Sequence, residues 1–148
     1  MKKVYLLLVV ALLLITTGCT KEAKETSKTC TMEEEGMKQV YTFGATDGEI
    51  DKVSIAMTFD DESMKNLTDE DKEQFKQIML DSMGLEDKTY EGMSISFDFS
   101  DKVTITIDTD LKKASKDDMK KVGLDFDDTD MSLAKTIKEM EKDGATCK

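Results

Sequence analysis

Between residues 39 and 107 the chain repeatedly alternates apolar and polar side chains. In VSIAMTF, Val53, Ile55, Met57 and Phe59 share one phase, with Ser54, Ala56 and Thr58 in the other. MSISFDF repeats this with Met93, Ile95, Phe97 and Phe99, VTITI with Val103, Ile105 and Ile107, and QVYTF with Tyr41 and Phe43. Successive strand residues point to opposite sides, so a period of two predicts antiparallel strands with one buried and one wet face. Asp47 and Gly48 between the first two strands form a strong cue for a tight hairpin. Ser100 and Asp101 join the second pair in the same way.

Helical spacing fills the gaps. LTDEDKEQFKQIMLDSMG offers Thr68 as an N-cap, acids in the first turn and Gly84 as a stop, with Phe75, Ile78, Met79 and Met83 as its apolar stripe. SKDDMKKVG predicts a short helix capped by Ser115, and MSLAKTIKEMEKDG places Leu133, Ile137 and Met140 along one face before Gly144. The order reads ββ-α-ββ-α-α. It predicts an α+β fold in which two antiparallel hairpins form one sheet and helices pack on one of its faces. No internal repeat or proline-rich linker divides it, so one domain is expected.

A different pattern governs the N-terminus. MKK is followed by an uncharged run, VYLLLVVALLLI, and then by TTGC. The run is shorter than the roughly 20 residues a spanning helix needs, and its layout is that of a secretory signal, assigned to residues 1–18. LITTGC resembles the lipobox of bacterial lipoproteins, with small Gly18 and Thr17 before the cysteine, although Thr16 stands where leucine is usual. Cys19 is then the expected lipid-attachment site, its sulfur carrying diacylglycerol, and membrane lipid is the expected partner. The alternative is an ordinary secretory peptide with an incidental cysteine. Residues 19–29, polar and without a side chain larger than Ala among the apolar ones, read as a tether. Residues 30–148 read as the folded domain, on the extracytoplasmic face of a Gram-positive cell membrane.

Cys30 and Cys147 remain, one near each end of that domain. An oxidising compartment permits a disulfide between them. Free thiols and pairing between molecules are the alternatives.

Charge narrows the function. Losing residues 1–18 removes two lysines, leaving 19 basic against 32 acidic side chains and a formal charge of −13. Nucleic acid is therefore not an expected partner. Every basic residue is Lys, and His, Pro and Trp are absent. Without His the chain lacks the commonest general base and the commonest zinc ligand. No G-x-S-x-G or glycine-rich phosphate loop occurs, and the few aromatics give little platform for a sugar between paired carboxylates. No catalytic residue, cofactor or metal is expected.

The acidic run Asp125 to Asp130 fails as a calcium loop, because Asp130 occupies the glycine position and Thr136 the terminal glutamate position. It and FDDES read as solvated loops. Met57, Met79, Met83, Met93 and Met140 fall in apolar phases and read as core rather than as soft-metal ligands.

Taken together, the lipobox, the polar stretch, the hairpins YTFGATDGEIDKVSIAMTF and YEGMSISFDFSDKVTITIDTDL, and the closing helix before GATCK resemble the YehR-like (DUF1307) lipoproteins. That resemblance implies a small α+β domain outside the membrane, lipidated at Cys19, in a group without an agreed biochemical activity. The expected function is a membrane-anchored, non-catalytic binding or structural module. The alternatives are a cation- or ligand-responsive surface protein, motivated by the charge, and a peptide pheromone released from residues 11–18.

Overall fold

The computed structural model describes residues 23–34, 36–125 and 131–148. Among them are six strands: β1 (Glu25–Glu34), β2 (Met37–Thr46), β3 (Glu49–Phe59), β4 (Met93–Asp98), β5 (Val103–Asp110) and β6 (Thr146–Cys147). Three α-helices, α1 (Asp69–Ser82), α2 (Lys116–Lys121) and α3 (Leu133–Lys142), and a 3-10 turn at Glu62–Met64 complete the described elements. The strands form one open sheet in the order β4-β5-β3-β2-β1-β6, each neighbouring pair antiparallel.

The fold is α+β, with both expected hairpins present as β2-β3 and β4-β5. The chain order, however, is βββ-α-ββ-α-α-β, because β1 and β6 join the sheet. β1 takes up residues 25–29, which polarity alone had assigned to the tether. Lys24 is held as well: its N–H donates to Asp47 Oδ1 at 3.0 Å, and its carbonyl accepts the Asp47 N–H at 3.0 Å. The physical reason is position. β1 lies near the margin of the sheet with only Cys30 buried, so it needs little apolar periodicity to pair with β2. The expected signal segment, with residues 11–18, and Cys19 lie outside the described residues.

Both core clusters lie on one side of the sheet. In register across the strands, Cys30, Tyr41, Ile55, Ile107 and Ile95 form one row, and Phe43, Val53, Thr109 and Met93 another. α2, α3 and the loops beside them cover the first cluster, adding Met119, Leu124, Leu133, Ile137 and Met140. α1 and its following loop cover the second, where Leu80, Leu85 and Tyr90 meet Ile105 and Ile107. All five methionines read as core pack against one cluster or the other. Ile78 departs from the expected stripe: it is 59% exposed, while Leu80 takes the buried position. Phe75 instead sits in an edge-to-face chain, 6.1 Å from Phe59 and 6.0 Å from Phe99.

A bulge in β3 keeps both ends of that strand in the core. Between Gly44/Ala45 the register with β2 shifts, so Val53 and Ile50 both face inward although three positions separate them. The β2-β3 turn is as predicted, with Asp47 and Gly48 at φ of 54° and 88°, the left-handed pair of a tight hairpin.

α1 opens on a capping box. The Asp71 N–H donates to Thr68 Oγ1 at 3.2 Å, and the Thr68 N–H donates back to Asp71 Oδ2 at 2.9 Å. Replacing Thr68 by alanine is expected to cost about 1 kcal/mol, read as a lower urea midpoint at an unchanged m-value.

Candidate functional site

With the helices gathered on one side, the sheet's other side has no described helix over it. Its two central rows are Thr29, Thr42, Ser54, Asp108, Ser94 and Thr31, Val40, Ala56, Thr106, Ser96. Asp108 is the single charge that these five strands place in those rows, in a chain whose residues are 36% charged; Lys148, bonded through its backbone to Thr29, continues the first row beyond β1. Hydroxyls meet across strands, Thr29 Oγ1 and Thr42 Oγ1 at 3.3 Å and Thr58 Oγ1 and Thr104 Oγ1 at 3.2 Å.

At the β3-start, β5-end side of this face lies a groove of about 580 Å³. Ser27, Gly44 and Ser54 line its floor, and Lys52, Asp108, Asp110 and Lys113 supply its charge. The groove runs across the strands from β1 to β4, four spacings or about 19 Å. Gly44 keeps the floor low: a Cβ there would meet Lys52 Cβ at 3.4 Å, ordinary contact, so a side chain at this position fills the groove without straining the strand.

Two aspartates bracket this end of the sheet, Asp110 in the groove and Asp51 in a smaller recess beside it. Asp51, the extra residue of the bulge, accepts a hydrogen bond from Thr46 Oγ1 at 2.6 Å and faces Lys112 Nζ at 3.4 Å. The Thr46 hydroxyl, then Lys112 and Lys52, hold its carboxyl below the usual range despite some burial. Asp110 accepts the Lys112 N–H at 3.1 Å and pairs with Lys113 at 3.2 Å. Partial burial raises its pKa, but these donors and the charges of Lys113 and Lys52 outweigh it and leave the pKa lowered.

A depressed carboxylate stabilises the fold above its unfolded value and loses that contribution as pH falls through the folded value. The bulge is therefore expected to loosen only once pH drops below the ordinary aspartate value of 3.8. Thr46→Val, which removes the foremost cause, is expected to shrink the stability lost between about pH 6 and about pH 3, measured by urea unfolding at each pH.

The expected site residues divide. Cys30 and Cys147 come together as directly opposed residues of β1 and β6 and are disulfide-bonded. Cys19 lies outside the described residues, as does 126–130 of the acidic run, while Asp125 sits 3.5 Å from Lys120. Among the described residues no three His, Cys, Asp or Glu side chains converge as a metal site, and no helix is long and apolar enough to cross a membrane.

The groove itself had no signature in the sequence. Its residues come from five strands, and the nearest signal was the hydroxyl-rich second phase of each alternation. One spacing lies outside the sequence expectations: Ser132 and Lys135 stand three apart at the start of α3, an S-x-x-K arrangement. Ser132 makes no side-chain cap bond and borders a recess of about 680 Å³ with Lys28, Asp47 and Glu49 among apolar Met131, Leu133 and Ile137.

No family model matches the chain, and no curated protein matches it. Two solved structures share its fold. The NMR structure of the YehR protein of E. coli aligns with a TM-score of 0.65 over 85% of this chain and 92% of that one, at 17% identity. The NMR structure of a protein from Streptococcus pneumoniae TIGR4 aligns with a TM-score of 0.58 over 87% and 88%, at 14% identity. The chain thus has a YehR-like fold.

Proposed function

We propose that this protein is a YehR-like lipoprotein, held on the outer face of the cell membrane by lipid on Cys19, that binds a partner through the open face of its sheet. The observation that carries the binding half is the low charge at the centre of that face, between flanking rows that hold Lys52 and Asp110 on one side and Glu33, Lys38 and Asp98 on the other. Interface centres are depleted of charged side chains relative to the rest of a protein surface. Here a chain that is 36% charged keeps one charge in the two central rows of a surface five strands wide. The groove offers a partner hydroxyls from Ser27, Thr42, Ser54 and Ser94 beside the charges of Lys52, Asp108, Asp110 and Lys113.

The location rests on the leader, the lipobox and the Cys30–Cys147 disulfide, a bond that persists in oxidising compartments. Two acyl chains on one sulfur would hold the domain firmly, since each buried CH₂ contributes about 0.8 kcal/mol. Cys19→Ser is expected to move the protein from the membrane pellet to the soluble fraction and to abolish palmitate labelling. A variant that still sediments with membranes, beside an unlabelled parent, would defeat the anchor.

A further inference from the structure

We propose that β4 is a docking edge for an extended peptide of another protein, which adds a seventh strand to the sheet and places an apolar side chain in a pocket beside it. The two edges of the sheet are built differently. The β1 edge is partly covered by β6, which the disulfide fastens in place, and its uncovered flanks carry Glu25, Lys28, Glu33 and Glu34. Those are the devices that keep an edge from pairing with strangers. β4 is six residues, Met93–Asp98, with no lysine, no proline and no bulge, and no described strand lies on its far side.

The ladder shows which of its backbone groups are free. The Asp110 N–H donates to the Gly92 carbonyl at 2.7 Å, which marks that pair as hydrogen-bonded. Antiparallel pairs alternate, so Ser94, Ser96 and Asp98 also bond to β5, while Ile95 and Phe97 turn their N–H and C=O groups outward. A strand docking here would hydrogen-bond to Ile95 and Phe97. Its residues opposite those two would point their side chains to the helix-covered side, as Ile95 and Phe97 do.

A pocket of about 210 Å³ lies along this edge, its apolar part lined by Leu80, Tyr90, Met93, Ile95 and Phe97 and its charged part by Glu86, Asp87 and Lys88 of the loop after α1 and by Lys76, which pairs with Asp87 at 2.9 Å. Ile95 and Phe97 are only half-buried, so their outer flanks remain available to an added aliphatic side chain. Free backbone groups and a pocket at alternate side-chain positions together make up the strand-addition mode of peptide recognition.

Charge points to an occupant from another protein. A second copy would bring a like charge of −11, whereas a peptide alternating aliphatic and basic residues would complement it.

A capped heptapeptide, Lys-Val-Lys-Leu-Lys-Val-Lys, tests this against two of its own analogues in 0.15 M salt. One is N-methylated at the aliphatic residues, whose amides would face β4, and the other at two of the lysines, whose amides would face away. The parent and the lysine-methylated peptide are expected to bind and to slow amide exchange at Ile95 and Phe97. The aliphatic-methylated peptide is expected to bind roughly tenfold more weakly or worse, having lost the ladder bonds. Charge is the same in all three, so equal binding by the two analogues would overturn the proposal. So would no binding by the parent at millimolar concentration, unchanged exchange at Ile95 and Phe97, or a free protein that sediments as a dimer paired through this edge.

Discussion

Replacing Cys30 and Cys147 together by alanine is expected to lower stability by about 5 kcal/mol, roughly 15–25 °C in Tm. The bond joins residues 117 apart, so it closes nearly the whole domain into one loop. In the chain-entropy account, most of the loss comes from an unfolded chain released from that loop. A smaller part is local. β6 is two residues long and otherwise depends on a few backbone bonds, among them the exchange between Thr29 and Lys148 at 3.1 and 2.8 Å. Cys30 is itself fully buried, so alanine there also opens a small cavity. Thermal melts of the parent with and without reductant separate these contributions, because reduction removes the bond but keeps both sulfurs. The reduced parent is expected to recover only a little of the loss seen in the double variant. Amide exchange at Lys148 is expected to rise first. A double variant that melts within a few degrees of the parent would show that the ring contributes little.

How much of this was legible in the sequence follows from where each element sits. β2, β3 and β5 lie inside the sheet, and they and the edge strand β4 each turn one phase to the helix-covered side, so burial imposes a clear period of two on Tyr41, Val53, Ile105 and their neighbours. The helices carry their own punctuation in Thr68, Ser115, Gly84 and Gly144: α1 begins and ends, α2 begins and α3 ends where those residues predict. β1 lacks that imprint because ETSKTCTMEE buries one residue, Cys30. Its threonines at 26, 29 and 31 were the available sign, since β-branched residues favour strands, but in a polar setting they read equally well as linker. β6 is two residues long, and its placement is set by its pairing with β1 and by the disulfide rather than by any periodicity.

The candidate site was less visible than the fold, and for a related reason. Alternation announces which face is buried and says nothing about what the other face gathers. Ser54 and Ser94 become neighbours of one groove only after β3 and β4 take their places on either side of β5. Asp51 illustrates the point most sharply. By strict alternation it belongs with Val53 and Ile55, facing the core. The bulge removes it from that phase, hands the buried position to Ile50, and leaves a carboxylate bound to Thr46 in the recess beside the groove. A single extra residue thus moves a charge from an expected interior position to the margin of the candidate site.

Gly92→Ala is the second substitution expected to be severe, at about 2–5 kcal/mol. Gly92 has φ of 69°, a conformation L side chains adopt at a cost, and it is also crowded. A Cβ there would fall 2.5 Å from Ala114 N, 2.6 Å from Lys113 Cβ and 2.8 Å from Lys113 C. Those atoms belong to the turn that follows β5, where the Lys113 and Ala114 N–H groups both donate to the Asp110 carbonyl at 3.1 and 2.9 Å. They are backbone and stem atoms, so the turn must move as a unit to make room. Gly36 supplies the control: its φ is 78°, but nothing lies within 4 Å of a Cβ built there. Gly36→Ala therefore carries only the conformational cost, roughly 1–2 kcal/mol. The difference between the two urea midpoints then measures the crowding alone, and equal destabilisation would refute the close approach at Gly92. Because the Gly92 carbonyl accepts the Asp110 N–H at 2.7 Å, a turn forced away from β4 would carry Asp110 and Lys113 with it. Gly92→Ala is thus expected to disturb the charged end of the groove as well as the fold, whereas Gly36→Ala, at the far end of the β1-β2 hairpin, leaves the groove intact.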